Sequence, residues 1–157
     1  MTMHTLEDLF RQELRDVFDA EKRLVKALPK MARSAAHDEL REAFSSHLQE
    51  TKTHVNRLEK AFAELDRAAR GKRCAAMEGL IEEGSQMIRE EADDAVHDAG
   101  LICAAQKVEH YEIAAYGTLV EWAKRLGVCP GTWADDGVDG WAWARLRGGD
   151  ASGSREP

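Results

Sequence analysis

Three glutamates of this chain fall on the apolar faces of predicted helices, where a charged group needs a partner. At a turn of about 100° per residue, Glu109 and Glu112 lie within one arc of apolar residues, and Glu21 lies within another. An ionised carboxylate in an apolar interior is costly unless a proton, a basic partner or a cation neutralises it. The chemistry that these residues indicate is therefore the binding of a positive group inside the core.

Two histidines add nitrogen donors to this set. His47 and His54 share an apolar stripe, Glu50 lies near its edge one turn from both, and His110 points away. Carboxylates with one or two imidazoles from facing helices are the ligands of di-iron and di-manganese bundles. Lysine and arginine fall mostly on outward faces, which leaves few internal basic partners. The sequence therefore favours an iron or manganese site, with these candidate ligands: Glu21, Glu50, Glu109, Glu112, His47 and His54.

A simpler interpretation stays open for each residue taken alone. Glu21 could accept a hydrogen bond from a buried tyrosine such as Tyr111 or Tyr116, and core histidines are often satisfied by hydrogen bonds. Three core-facing glutamates, with Glu50 beside two inward histidines, favour a metal site for the set as a whole. A solvated acidic face is enough to explain the run of Glu82, Glu83, Glu90, Glu91, Asp93 and Asp94.

Long amphipathic helices are the elements that would position these residues. Apolar residues at three- and four-residue spacing predict a first helix over residues 6–35, with a kink or a restart at Pro29. A second helix, capped by Asp38, is predicted to end near Gly71. The short connection over residues 34–38 predicts that the two helices run antiparallel.

Two further helices are predicted, which makes the expected fold class all-α. A weaker pattern from Cys74 to Ile88, interrupted by Gly79 and Gly84, predicts a short crossover helix. A long amphipathic pattern over residues 93–126 closes at Gly127. The predicted helical domain is therefore residues 1–127.

Bulk composition narrows the class of protein. A chain of 157 residues fits one domain, and a formal net charge of −7 disfavours nucleic acid as a partner. Three cysteines, odd in number and outside any CxxC spacing, indicate neither a disulfide framework nor a zinc site. The sequence contains no signal-peptide stretch and no long apolar run. We therefore expect a cytoplasmic protein with no membrane partner.

The last part of the sequence, residues 128–157, differs in character from the rest. It holds half of the glycines and three of the four tryptophans, and it has no helical period. The sequence therefore predicts an irregular or disordered tail and no fourth amphipathic helix.

Four segments in the helical part resemble the YciE/YciF family of ferritin-like bacterial proteins: LEDLFRQELRDVFDAEKRLVKALPKMA, HLQETKTHVNRLE, CAAMEGLIEEG and AAQKVEHYEIAAYGTLVEWAKRLG. The resemblance extends from Met1 to about Gly127. It implies a ferritin-like four-helix bundle, often paired as a homodimer and associated with bacterial stress responses. It also implies metal binding by similarity to di-iron bundles, through Glu21, Glu50, Glu109 and Glu112, with His47 or His54 as nitrogen ligands.

The chain departs from that family in two ways. The second helix has His47-x-x-Glu50 and Glu50-x-x-x-His54 but not the usual Glu-x-x-His. Which of the two imidazoles could reach a metal is therefore left open. Family members also continue into a fourth amphipathic helix where this chain has its tail. A frameshift or mistaken gene end near Val128 is one hypothesis for that break. Without the fourth helix, metal binding is expected to be weaker, incomplete or dependent on a partner chain.

Two functions compete on this basis. The first is a metal-binding, ferritin-like stress protein; if it is an enzyme, the expected chemistry is iron oxidation or peroxide consumption, and no catalytic residue is assigned. The second is a helical structural or interaction protein with no bound metal. Nucleophilic catalysis is disfavoured because Ser45, Ser46 and Ser85 lie in no G-x-S-x-G setting.

Overall fold

The computed structural model describes residues 3–128, and over that range the chain forms four α-helices and no strand. They are α1 (Leu6–Ser34), α2 (Asp38–Glu64), α3 (Ala75–Arg89) and α4 (Asp94–Leu126). The predicted all-α class, the two long helices at the start, the short crossover helix and the long last helix are confirmed. The predicted irregular tail is residues 128–157, and all of it except Val128 lies outside the described residues. None of the described helices is long and apolar enough to cross a lipid bilayer.

The first helix begins at a capping box and is not interrupted by its proline. The Thr5 hydroxyl accepts the N–H of Asp8 at 3.1 Å, and the Asp8 carboxylate accepts the N–H of Thr5 at 3.2 Å. Pro29 lies inside α1, which continues to Ser34, so the predicted alternative of a restart at Pro29 is wrong. Buried Leu28 and Met31 on either side hold this turn against the core, which offsets the one backbone hydrogen bond that proline removes.

The start of α2 differs from the prediction, because Asp38 does not cap it. The residue at the cap position is His37, and no side chain makes a cap hydrogen bond there. Instead, the carboxylate of Asp98 from α4 accepts the N–H groups of Ala36 and His37 at 2.8 and 3.0 Å. A side chain distant in sequence therefore fixes the α1–α2 connection.

The end of α2 also comes earlier than the predicted Gly71. Asp66 adopts a left-handed conformation with φ of 53°, and its N–H and that of Arg67 bond to the carbonyls of Ala63 and Phe62. This pattern ends helices and usually employs glycine. Gly127 ends α4 in the same way, with φ of 66°, as the sequence predicts.

The three long helices pack side by side, with α1 in contact with α2, α3 and α4. Phe18 on α1 meets Phe62 on α2 edge to face, at 5.5 Å between ring centroids, while Phe44 packs near the other end of α1. This confirms that α1 and α2 are antiparallel. Tyr116 lies against Glu21, and Asp98 lies against Ala36, so α4 is antiparallel to α1 and parallel to α2.

The apolar core is divided into two clusters along the bundle. The first cluster joins residues 10–18 of α1 to residues 58–62 of α2 and 115–123 of α4. The second joins Ala20 and residues 24–35 to Phe44, to Cys74 and Met77, and to residues 101–108 of α4. The stretches 47–54 of α2 and 109–112 of α4 lie between the two clusters. We call the polar side chains at this level, with Glu21 of α1, the polar layer.

Candidate metal centre

The polar layer brings together side chains from three helices. Glu21 is 1% exposed and Glu112 is 8% exposed, as the helical period predicts for core-facing residues. His47 is also buried, whereas Glu109 and His54 are half-buried. Because each of these residues lies on the inward face of a long helix, the two apolar clusters above and below hold them at one level of the bundle.

One group of potential ligands consists of Glu21, His54 and Glu112. Each residue offers a ligand atom, and these atoms all lie within 4.8 Å of one another. Nδ1 of His54 lies 3.4 Å from Oε1 of Glu21. The group therefore combines two carboxylates and one imidazole, contributed by α1, α2 and α4.

A second group consists of His47, Glu109 and Glu112, again with ligand atoms within 4.8 Å of one another. His47 bridges the two glutamates, with Nδ1 at 3.1 Å from Glu109 Oε1 and Nε2 at 3.6 Å from Glu112 Oε2. Glu112 belongs to both groups. The arrangement is therefore two adjacent three-ligand sets that share one carboxylate, and each set has one of the two histidines between which the sequence could not choose.

Two buried ligand atoms of the first group lack a hydrogen-bond partner: Oε2 of Glu21 and Oε1 of Glu112. Nδ1 of His54 makes no well-aligned hydrogen bond, but it lies 3.4 Å from Oε1 of Glu21. Buried polar groups in folded proteins are nearly always hydrogen-bonded, and an unpaired one costs about 1–3 kcal/mol. A cation bound between these atoms would give each of them a partner.

The tyrosine alternative for Glu21 is also observed. The hydroxyl of Tyr116 donates to Oε1 of Glu21 at 2.6 Å. A carboxylate has two oxygens, so this bond leaves Oε2 available and is compatible with a ligand role. Tyr111, the other candidate, instead donates to Asp16 at 2.9 Å, with its hydroxyl also 3.1 Å from the buried thiol of Cys74.

The electrostatic setting of the layer favours a positive charge. Burial raises the pKa of Glu112 well above its usual value, and the negative charges of Glu21 and Glu109 raise it further. Burial acts to lower the pKa of His54, but the neighbouring carboxylates Glu21 and Glu112 outweigh it, so this pKa is raised. Burial, followed by the Glu21 carboxylate, raises the pKa of Tyr116, which therefore stays a hydrogen-bond donor. A cation would neutralise the repulsion among the carboxylates.

The donor set fits iron or manganese. Three carboxylates and two imidazoles combine hard oxygen donors with nitrogen donors that suit these metals, and sharing of one carboxylate between two sets is compatible with a two-cation centre. The unpaired oxygens of Glu21 and Glu112 are the atoms that would bind a cation without breaking an existing hydrogen bond.

Glu50 is in neither group. Its half-buried side chain accepts a hydrogen bond from Ser46 at 3.4 Å, along its own helix. The ligand role predicted for Glu50 stays a prediction. His110 is exposed and its Nδ1 bonds to the carbonyl of Gln106 at 2.8 Å, which agrees with its predicted outward position.

One contributor to the layer was not proposed as a site residue from the sequence. The sequence indicates Tyr116 only as an alternative partner of Glu21, yet Tyr116 lies one helical turn after Glu112 on the same face of α4. That spacing is the signal that could have linked Tyr116 to the site, because residues four positions apart on a helix are neighbours on the same face.

A separate groove of about 780 Å³ lies between α1 and α3. Lys22, Lys26 and Lys30 line one side, and Glu78 and Glu82 line the other. The two glutamates already pair with arginines, at 2.6 Å for Arg73–Glu78 and 3.2 Å for Arg89–Glu82. None of the five clustered side chains of the polar layer lines this groove, so it does not share their chemistry.

Comparison with known proteins gives consistent matches over the helical part. The profile of the DUF892 family, described as a domain of unknown function, matches residues 5–130, which include the whole polar layer. Protein YciF from Escherichia coli (strain K12) is 46% identical over 128 residues, which cover 81% of this chain and 77% of YciF.

Two solved structures are similar in fold as well as in sequence. The E. coli stress protein YciF superposes with a TM-score of 0.77 at 45% identity, covering 80% of each chain. YcfI, "a putative structural protein from Rhodopseudomonas palustris", superposes with a TM-score of 0.78 at 40% identity, covering 92% of this chain and 87% of that one. These identities extend the likeness beyond the fold alone.

Proposed function

This chain belongs to the DUF892 family of YciF-like proteins, a ferritin-like bundle, and on that premise we propose that it binds two divalent cations, iron or manganese, in its polar layer. The observation that carries the proposal is the convergence of two unpaired buried carboxylate oxygens, on Glu21 and Glu112, beside the imidazole of His54. Since YciF is described as a stress protein, the proposed setting is a bacterial stress response.

In the proposed site, Glu21 and His54 would hold one cation and His47 and Glu109 the other, with Glu112 common to both ligand groups. Bound iron or manganese would supply Lewis-acid or one-electron chemistry toward dioxygen or peroxide. The protein contributes the geometry. Tyr116 fixes one oxygen of Glu21, and the two apolar clusters keep water from the layer on both sides along the bundle.

The layer is less enclosed on the side where α2 and α4 face each other. The side chains of Glu109 and His54 are 33% and 28% exposed, although both belong to ligand groups. Three protein ligands per cation also leave coordination positions open. We propose that a homodimer partner covers this side and that the protein is cytoplasmic.

A second candidate function is a structural or interaction protein without bound metal. The description of YcfI as a "putative structural protein" favours it, as does the hydrogen bond between Tyr116 and Glu21. In that case Glu112 carries a proton in place of a cation, which agrees with the direction of its raised pKa.

Metal content and thermal stability separate the two functions. Iron, manganese and zinc would be measured in the purified protein, in the Glu21→Ala, Glu109→Ala double variant, and in Glu121→Gln as a control. Glu121 is an exposed residue of α4 that pairs with Arg125, outside the layer. The metal-site proposal expects about two cations per chain in the wild type and control, and near none in the double variant.

Addition of Mn²⁺, or of Fe²⁺ without oxygen, should also raise the melting temperature of the wild type and control but not that of the double variant. Equal trace metal in all three proteins, with no shift in melting temperature at saturating cation, would leave the structural function as the better explanation.

A further inference from the structure

Thr51 is buried in the polar layer with no partner for its hydroxyl. Its side chain is 0% exposed, and Oγ1 makes no hydrogen bond within the described part of the chain. A hydroxyl removed from water without a partner destabilises the folded state, so such groups are rare in native proteins.

Three other helical hydroxyls, two of them on threonines, behave differently. Ser45 and Thr118 each donate to the carbonyl four residues earlier at 2.8 Å, and Thr53 does so at 3.1 Å. This is the usual way in which serine and threonine satisfy themselves inside a helix. Thr51 has a carbonyl available at the same spacing and does not use it, so the helix itself does not explain its hydroxyl.

The position of Thr51 links it to both ligand groups. It follows His47 by one turn and precedes His54 by one turn on the same inward face of α2. His47 reaches Glu109 and Glu112, and His54 reaches Glu21. The unpaired hydroxyl therefore belongs to the level of the bundle at which the two three-ligand sets meet.

We propose that the Thr51 hydroxyl donates a hydrogen bond to a small non-protein ligand, water or a small anion, that occupies an open position of the two-cation centre. This inference rests on the function proposed above. A neutral hydroxyl is not among the donors that select iron or manganese, so Thr51 is assigned to the ligand of the cations and not to the cations. It acts as a positioning residue, through the molecule that it holds.

The test compares Thr51→Val with Thr53→Val in the full chain. Both changes replace a hydroxyl by a methyl group of similar size on the same helix, but Thr53 is exposed and bonded to its own helix. Each protein would be loaded with Co²⁺ and titrated with sodium azide, with binding followed by visible absorption. Azide stands in for the small anion because it binds open metal positions and accepts hydrogen bonds.

The expected result is that Thr51→Val binds azide about tenfold more weakly than wild type, the effect of one hydrogen bond to a charged acceptor. Co²⁺ content should stay at the wild-type value, and Thr53→Val should match wild type in both measurements. Thr51→Ser, which keeps the hydroxyl, should restore azide binding, whereas Thr51→Ala should not. Without metal, Thr51→Val should melt no lower than wild type, because it removes an unpaired buried hydroxyl.

Three outcomes would overturn the inference in distinguishable ways. Equal azide affinity of wild type, Thr51→Val and Thr51→Ala, with full cobalt content, removes the role of the hydroxyl and leaves the metal site intact. Loss of cobalt from Thr51→Val and Thr51→Ala would make Thr51 a ligand. Absence of cobalt from the wild type, together with absence of iron and manganese in the metal measurements above, would reject the proposed function, and this inference with it.

Discussion

Replacement of Glu112 by glutamine should have opposite effects on stability with and without a cation. Glutamine has the shape of a protonated glutamate and no charge, so it removes the group shared by both ligand sets while keeping the packing of α4. Its side-chain amide can donate to the unpaired Oε2 of Glu21, which lies in the same group.

The cation-free effect follows from the raised pKa of Glu112. The folded protein holds this proton more tightly than the unfolded chain, for which the ordinary value is 4.5. The resulting stability is fully present below pH 4.5 and is lost as pH rises through the higher folded-state value. Glu112→Gln should therefore be more stable than wild type at neutral pH, and its stability should vary less with pH above 4.5.

With saturating cation the order should reverse. A ligand that binds only the folded state at a hundred times its Kd adds about 2.7 kcal/mol, and the variant lacks the shared ligand that this binding needs. For a chain of this size about 1 kcal/mol corresponds to about 2–4 °C in Tm. Wild type should melt below Glu112→Gln with chelator and several degrees above it with Mn²⁺.

The assay is thermal unfolding followed by circular dichroism at pH 5, 6, 7 and 8, with chelator or with Mn²⁺. The exposed Glu121→Gln variant is the control and should follow wild type throughout. A Glu112→Gln variant that melts below wild type in chelator at every pH would refute the electrostatic reasoning. An unchanged order of melting temperatures after Mn²⁺ addition would refute the shared-ligand assignment.

Further changes test the supports of the layer and of the fold. Tyr116→Phe frees Oε1 of Glu21 and should weaken Mn²⁺ binding about tenfold, measured by calorimetry, since partners that orient ligands contribute about that much. Asp98→Asn should lower the Tm at neutral pH. Hydrogen bonds, chiefly that from the N–H of Ala36, lower the pKa of Asp98 from 3.8 to about 2. The stability that Asp98 contributes is therefore lost as pH falls through that range, and the difference in Tm between variant and wild type should shrink there. Leu14→Ala, at a fully buried position of the first apolar cluster, should cost about 2–5 kcal/mol in urea unfolding and leave metal content unchanged.

The inward positions of the site residues could be predicted because they depend on local periodicity. Glu21 and Glu112 lie on helices of many turns, so an angular step of about 100° per residue fixes their side without knowledge of the partners. Glu50 marks the limit of this reasoning. Glu50 lies near the edge of the apolar stripe of α2, so whether it joins a ligand group depends on where the neighbouring helices lie. In the structure the two groups include His47 and His54 but not Glu50.

Features that depend on distant or non-periodic residues could not be predicted. Asp98 binds the α1–α2 connection from a position 62 residues away, and no local pattern indicates that partner. The left-handed conformation of Asp66 ends α2 without the glycine that signals such an end at Gly127. The sharing of Glu112 between two groups likewise needs the relative rotation of three helices, which the sequence of each helix does not contain.

The polar layer destabilises the fold relative to an apolar core, and the two proposed functions explain this destabilisation differently. A buried polar layer can fix the register of packed helices, but that role needs satisfied pairs such as Tyr116 with Glu21. The unpaired oxygens of Glu21 and Glu112 destabilise the fold without fixing the register of the helices, and the raised pKa of Glu112 shows that its charged form is disfavoured there. A cation removes each of these costs at once, because it neutralises the carboxylates and occupies their free lone pairs. The metal-site function therefore accounts for all of these atoms, whereas the structural function accounts for the Tyr116–Glu21 pair and, through a proton between Glu112 and Glu21, for part of the rest.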